Sequence, residues 1–237
     1  MSCVAIIPAR GGSKRIPHKN IKLFLGQPMM RYAIAAAQKS NIFDEIIVST
    51  DCETVAGVAR DCGANTPFIR PKNLADDFTG TQAVTRHALT ELNKQKKYFE
   101  FVCCIYATNP LLEPANLVKG LQKLQCGDCD YVVSAVEFEF PIQRALIKSG
   151  DYVIPQQPSA MAQRSQDLMP AYHDAAQFYW GTNTAYLNDQ ALWGDNTQAI
   201  ILSTDSVQDI DNPSDWTMAE LKYRQKFIHQ AAVSDHG

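Results

Sequence analysis

Neither common glycine-rich nucleotide signature occurs in this sequence: there is no G-x-G-x-x-G and no G-x-x-x-x-G-K-[ST]. No apolar run reaches the roughly 20 residues that a membrane-spanning helix needs, so no membrane role is expected. Basic charge is not in excess. The 22 Lys and Arg face 25 Asp and Glu, for a net charge of −3, which argues against a general nucleic-acid binder. Cysteine is short of a metal or disulfide framework. The seven cysteines are an odd number, and Cys126-x-x-Cys129 has no second Cys or His pair at zinc spacing. They read as reduced, mostly buried thiols of a cytoplasmic protein. Strand-like sequence begins at Val4, so no secretory leader is expected. There is no internal repeat beyond two Ser-Thr-Asp triplets, at 49–51 and 203–205.

What is present begins with composition. At 46% hydrophobic and 20% charged, 237 residues can bury a full core. We expect a single domain over 1–230, with a frayed tail at 231–237.

The chain is organised around VAIIPARGGSKRIPHKN, Val4 to Asn20. Val4–Ile7 is too short for a helix and reads as a buried strand ended by Pro8. Gly11 and Gly12 follow, set among Arg10, Lys14, Arg15 and Lys19. A glycine loop at a strand's C-terminal end lets backbone N–H groups approach a ligand. Open α/β sheets bind ligands at that end. Four cations there suit a polyanion such as a triphosphate, or are simply a solvated basic turn.

Downstream, apolar spacing predicts helices from Met29 to Ser40 behind Pro28, from Val55 to a C-cap at Gly63, from Thr79 or Thr81 to Leu92, and from Pro114 onward. Strands are predicted at Ile46–Val48, Phe101–Tyr106 and Tyr131–Val136, with a short extended piece at Phe68–Pro71. This β-α alternation implies a parallel sheet with helices on both faces. From Glu137 to Ala176 periodicity fades and four prolines appear (Pro141, Pro155, Pro158, Pro170). So long an irregular stretch is expected to be functional, an arm that covers a site or embraces a partner subunit. Phe178–Trp180 and Thr184–Leu187 read as strand material around Gly181. Ala199–Leu202 reads as another buried strand. A last helix runs from an Asn212 cap and Pro213 to about Gln230.

Asp209-Ile210-Asp211 is the second informative stretch. In extended chain, residues i and i+2 share a face at roughly 6.5–7 Å between Cα atoms. Both carboxylates can then converge on Mg2+, which takes one or two carboxylates and leaves positions for phosphates and water. The alternative is acidic residues serving a helix N-terminus capped by Asn212.

The pieces IIPARGGSKRIPHKN (6–20), IIVSTD (46–51), FIRPKNLADD (68–77), YATNP (106–110) and DIDNPSD (209–215) together resemble the CMP-sialic acid synthetase family of cytidylyltransferases. They lie in that family's order and span almost the whole chain. DDFTGT (76–81), FPIQRAL (140–146), RSQDL (164–168) and YHDAAQFYWG (172–181) resemble the branch that activates pseudaminic acid. The resemblance implies a Rossmann-like, glycosyltransferase-A-like α/β nucleotidyltransferase in which the anomeric hydroxyl of a nine-carbon 2-keto sugar acid attacks the α-phosphate of CTP. It implies that Arg10, Gly11, Gly12, Ser13, Lys14 and Asn20 bind the nucleotide, that Arg70, Thr79, Gly80 and Thr81 lie near cytosine and ribose, and that Asp209 and Asp211 hold Mg2+ or another divalent cation. Arg10 and Lys14 are expected to neutralise the departing pyrophosphate. Residues 138–175 match the family's dimerisation arm, so a homodimer is expected.

For the sugar acid, Gln143, Arg144, Arg164, His173, Asp174, Gln177 and Tyr179 are the candidates, since arginine can pair a carboxylate through two hydrogen bonds. Asp51 reads as a helix cap, with a place near the sugar as the alternative, and His18 and His87 read as structural. Alternatives are the same reaction on N-acetylneuraminic or legionaminic acid, a nucleotide-sugar-dependent glycosyltransferase, or a non-catalytic nucleotide-binding protein.

Overall fold

The computed structural model describes residues 1–229. The expected tail at 231–237, and the end of the last helix at Gln230, lie outside the described residues. In chain order the strands are β1 (Cys3–Pro8), β2 (Leu23–Phe24), β3 (Gln27–Pro28), β4 (Glu45–Ser49), β5 (Phe101–Ile105), β6 (Tyr131–Glu137), β7 (Leu146–Ser149), β8 (Tyr152–Pro155), β9 (Tyr172–Thr182) and β10 (Thr197–Leu202). The α-helices are α1 (Met29–Ser40), α2 (Glu53–Asp61), α3 (Thr81–Lys94), α4 (Pro114–Gln125), α5 (Asn183–Leu187) and α6 (Pro213–Tyr223). A π-helical turn, Arg224–His229, continues α6.

Six strands form one sheet in the order β10-β6-β9-β5-β1-β4. β1 lies between β4 and β5 and is parallel to both. It is buried on both faces, which is why it reads as one apolar run. Its alternate side chains go to opposite layers. Ala5 and Ile7 join Ala33, Ile34, Leu117 and Trp180 on the side of α1 and α4. Val4 and Ile6 join Leu89, Leu92 and Tyr186 on the side of α3 and α5. Gly120 lets α4 lie directly on the sheet, since a Cβ there would fall 2.6 Å from Trp180 Cδ1.

The sheet is mixed rather than purely parallel. β9 runs antiparallel between β5 and β6, because the chain re-enters the sheet from the far end of a long excursion. That re-entry starts at Tyr172, inside the stretch expected to form the arm. β9 is irregular: its register against β6 shifts between Val133 and Ala135, and Ala176 takes a φ of 49°.

Three local expectations are corrected. Thr184–Leu187 is helical, because the Thr182 side chain accepts the Ala185 N–H at 3.1 Å and caps α5. β10 is a half-exposed edge strand, with Ile201 51% exposed. The cap of α3 is Gly80, since Thr79 spends its hydroxyl on Asp76. In the Phe68–Pro71 stretch, Arg70 N–H reaches back to the Thr50 carbonyl at 2.7 Å. The arm itself is a β7–β8 hairpin and short 3-10 turns, and every residue of β7 is exposed.

Candidate active site

The glycine loop leaves β1 at Pro8 and is held from beneath. Ala9 N–H donates to the Ser49 carbonyl at 2.9 Å, and Gly11 N–H donates to Asp51 Oδ1 at 2.9 Å. A Cβ on Gly11 would sit 2.7 Å from Cys52 Cβ, so only glycine lets the loop pack against the end of β4. Asp51 thus anchors the loop and does not cap α2, whose cap is Cys52 without a side-chain bond. Asn20 is buried and donates from Nδ2 to the Arg10 carbonyl at 2.9 Å. Its amide shapes the loop.

A cavity of about 250 Å³ opens beside this loop, lined by Arg10, Ser13, Lys14, Arg15, Lys19, Asn20, Arg70, Thr79, Thr81, Tyr106 and Thr108. The fold therefore brings the predicted nucleotide residues together, with Gly11 and Gly12 in the same loop and Gly80 between the two threonines. Arg70 is only 3% exposed, and its Nε has no hydrogen-bond partner among the described residues. Burial pulls its pKa down; nearby Asp51 opposes that fall and Arg10 adds to it. An under-partnered buried guanidinium is costly unless a ligand supplies acceptors.

A second cleft of about 530 Å³ is lined by residues that include Glu137, Phe138, His173, Asp174, Gln208, Asp209 and Lys222. Two cations from the wall of the first cavity reach the segment that carries Asp209, a lining residue of the second cleft. Lys19 donates from Nζ to the Ile210 carbonyl at 2.5 Å and lies 3.6 Å from Asp211. Arg15 pairs with Asp211 at 2.7 Å. Between the acids, Ile210 is fully buried with Ile16, Phe24 and Trp216. Burial raises the pKa of the Asp209 carboxyl, and Asp211 raises it further. The expected helix start is present. Asn212 caps α6, and Asp215 Oδ2 accepts from Asp211 N–H at 2.8 Å and Asn212 N–H at 2.9 Å. The cap that starts α6 thus fixes the backbone of the acid pair.

The predicted sugar residues divide. His173 and Asp174 line the second cleft, and His173 Nδ1 lies 2.9 Å from the Asp174 carbonyl. Both Asp174 oxygens are used internally: Oδ1 accepts from Ala176 N–H at 2.8 Å, and Oδ2 accepts from Tyr179 OH. Tyr179 OH is also 3.2 Å from Tyr106 OH. Its proton goes to Asp174, so Tyr106 donates across that contact. Burial, then Tyr106 and the Asp174 bond, keep Tyr179 protonated. Gln177 is buried and donates to the Ser206 carbonyl at 2.6 Å, a structural tie. Gln143, Arg144 and Arg164 sit on the arm, bonded to Met169, Ser165 and Asp167, and line neither cavity of this chain.

Sequence reasoning missed Tyr106 and Asp77. The strand end at Tyr106 was a usable signal; Asp77 had none beyond its polar loop. His87 packs edge-on against Phe68, and burial lowers its pKa. His18 occupies a left-handed turn, φ 53°.

Among the described residues no three His, Cys, Asp or Glu side chains converge to hold a metal by themselves. Two carboxylates beside a basic cavity are the donor set that suits Mg2+ with a phosphate ligand completing its shell. No helix among the described residues is long and apolar enough to cross a membrane.

Comparison with known proteins identifies the family. The chain is 41% identical, over 98% of its length and 100% of the relative's, to a pseudaminic acid cytidylyltransferase of Campylobacter jejuni. It is 29% identical, over 93% of its length and 95% of the relative's, to a CMP-N,N'-diacetyllegionaminic acid synthase of Legionella pneumophila. Its fold matches that of a CMP:2-keto-3-deoxy-manno-octonic acid synthetase solved with CTP, at TM-score 0.72 and 14% identity, over 96% of this chain and 100% of the other. The sequence pattern of the family described as cytidylyltransferase matches residues 4–193, and the chain belongs to that family of nucleotidyltransferases.

Proposed function

We propose that this enzyme transfers CMP from CTP to the anomeric hydroxyl of pseudaminic acid, a nine-carbon 2-keto sugar acid, and releases pyrophosphate. The observation that carries the reading is that Arg15 and Lys19, from the wall of the basic cavity, hold Asp211, two residues from Asp209 in the second cleft. In this reading the triphosphate lies along Arg10, Lys14 and Lys19, and the second cleft receives the sugar acid. The new bond joins the sugar oxygen to the α-phosphorus, the hydroxyl proton passes to solvent, the α–β bridging bond breaks, and the electron pair leaves on pyrophosphate. Arg10 and Lys14 stabilise that leaving charge. Asp209 and Asp211 would hold Mg2+, which when bound neutralises phosphate oxygens and acidifies a nearby hydroxyl.

The working unit in this reading is a homodimer. Gln143, Arg144 and Arg164 line neither of these two cavities, and the arm exposes Phe140, Ile147, Tyr152, Val153 and Ile154. An apolar surface of that kind supports association with a second copy. The reaction belongs in the cytoplasm, where CTP is available, and needs neither nucleic acid nor membrane.

The choice of sugar rests on the 41% relative; N-acetylneuraminic and legionaminic acids are the competing substrates. The test is pyrophosphate release from CTP and Mg2+ with each of the three acids in parallel. Release with pseudaminic acid alone is expected. Release only with another acid overturns the substrate, and release with none overturns the function.

A further inference from the structure

The polar loop between Lys72 and α3 makes contacts that the proposed reaction does not use. Asp77 spends both carboxylate oxygens on the glycine loop: Oδ1 lies 2.7 Å from Arg10 Nη1, and Oδ2 lies 2.5 Å from Lys14 Nζ. Arg10 Nη1 also donates to the Asp76 carbonyl at 2.7 Å. The loop holds its own shape, because Asp76 Oδ1 accepts from Phe78 N–H at 2.9 Å, from Thr79 N–H at 2.7 Å and from the Thr79 hydroxyl at 2.7 Å. Phe78, at the tip, is 94% exposed, so its ring does not hold the loop down by burial. The two cations therefore carry an anion of the protein's own, on a pre-shaped turn at the cavity wall. Asp77 and Lys14 side chains are 37% and 78% exposed, and ion pairs in water are weak enough to exchange.

We infer that Asp77 stands in for phosphate on Arg10 and Lys14, that the triphosphate displaces it, and that it returns to those cations as pyrophosphate departs. The inference rests on the reading of Arg10 and Lys14 as triphosphate ligands. After transfer, the same carboxylate competes with pyrophosphate for its two cations.

The experiment compares wild type, Asp77→Asn, Lys14→Ala and Arg10→Ala. The readouts are KM for CTP, kcat, and the inhibition constant of pyrophosphate. Asp77→Asn should lower KM for CTP and tighten pyrophosphate inhibition, each by about three- to tenfold. It should also lower kcat once product release limits the rate. These differences should shrink in high salt, because the pairs are exposed. Lys14→Ala and Arg10→Ala should do the reverse, weakening both CTP and pyrophosphate. If they weaken both but Asp77→Asn leaves the pyrophosphate constant unchanged, or raises KM for CTP, the role assigned to Asp77 is wrong and the nucleotide reading stands. If Lys14→Ala and Arg10→Ala leave CTP binding intact, the nucleotide reading itself falls.

Discussion

In the proposed reaction Asp209 helps hold the metal, and its own charge works against folding. Its carboxyl lines the second cleft, where burial and then the charge of Asp211 favour the protonated form. The fold therefore binds this proton more tightly than the unfolded chain does. The resulting stability is present at low pH and is lost as pH rises through the raised value, so at neutral pH the charged group works against folding. Asp209→Asn should raise the melting temperature at neutral pH without metal, by on the order of a few degrees, and lower kcat by roughly 100-fold or more. Calorimetry across pH, alongside the pyrophosphate assay, checks both. A variant that loses stability at neutral pH contradicts the account. The acid pair was legible because its spacing is local, two residues in extended chain. The same holds for Arg10 and Lys14, which flank two glycines. The contacts of Asp77 and Tyr106 were not legible, because their partners lie 63 and 73 residues away and only the folded chain brings them together.

At the scale of elements, the start of α6 ties stability to chemistry. The Asn212 side chain accepts from Asp215 N–H at 3.0 Å, and the Asp215 carboxylate returns to Asn212 N–H and Asp211 N–H. Asn212→Ala should cost about 1 kcal/mol, read as a shifted denaturation midpoint. Asp215→Ala should reduce both stability and kcat, because it also frees the backbone of Asp211. An Asp215→Ala enzyme with full kcat would separate the cap from the site. Asn212-Pro213 announced this start in sequence, as cap and first-turn proline do. The strands β1, β4, β5 and β6 were equally readable as short apolar runs between turn signals. The helix α5 was not, since Asn183–Leu187 is too short for a 3.6-residue period to show. Nor was the direction of β9, which depends on where the excursion before it leaves the chain.

The whole molecule presents a basic cavity and a second cleft on one chain, and the two ends of the arm contribute Phe138, Phe140, His173 and Asp174 to that cleft. The alternation of elements conveyed the layered α/β plan. It could not convey the antiparallel strand, which is a matter of tertiary path. Light scattering should give twice the chain mass for wild type. Placing Glu at Ile147 and Val153, both more than half exposed on the β7–β8 hairpin, should yield monomers with low activity. A wild-type enzyme that is monomeric and fully active would rule out a shared site.

The central claim is that a sugar hydroxyl attacks the α-phosphorus of CTP. It is tested most directly with pseudaminic acid carrying ¹⁸O at the anomeric hydroxyl and ³¹P NMR of the CMP-sugar formed. The account predicts an isotope shift on the product phosphorus, because the sugar oxygen becomes the bridging atom. A product without the shift would mean that the carbon–oxygen bond had broken instead, and would contradict nucleotidyl transfer.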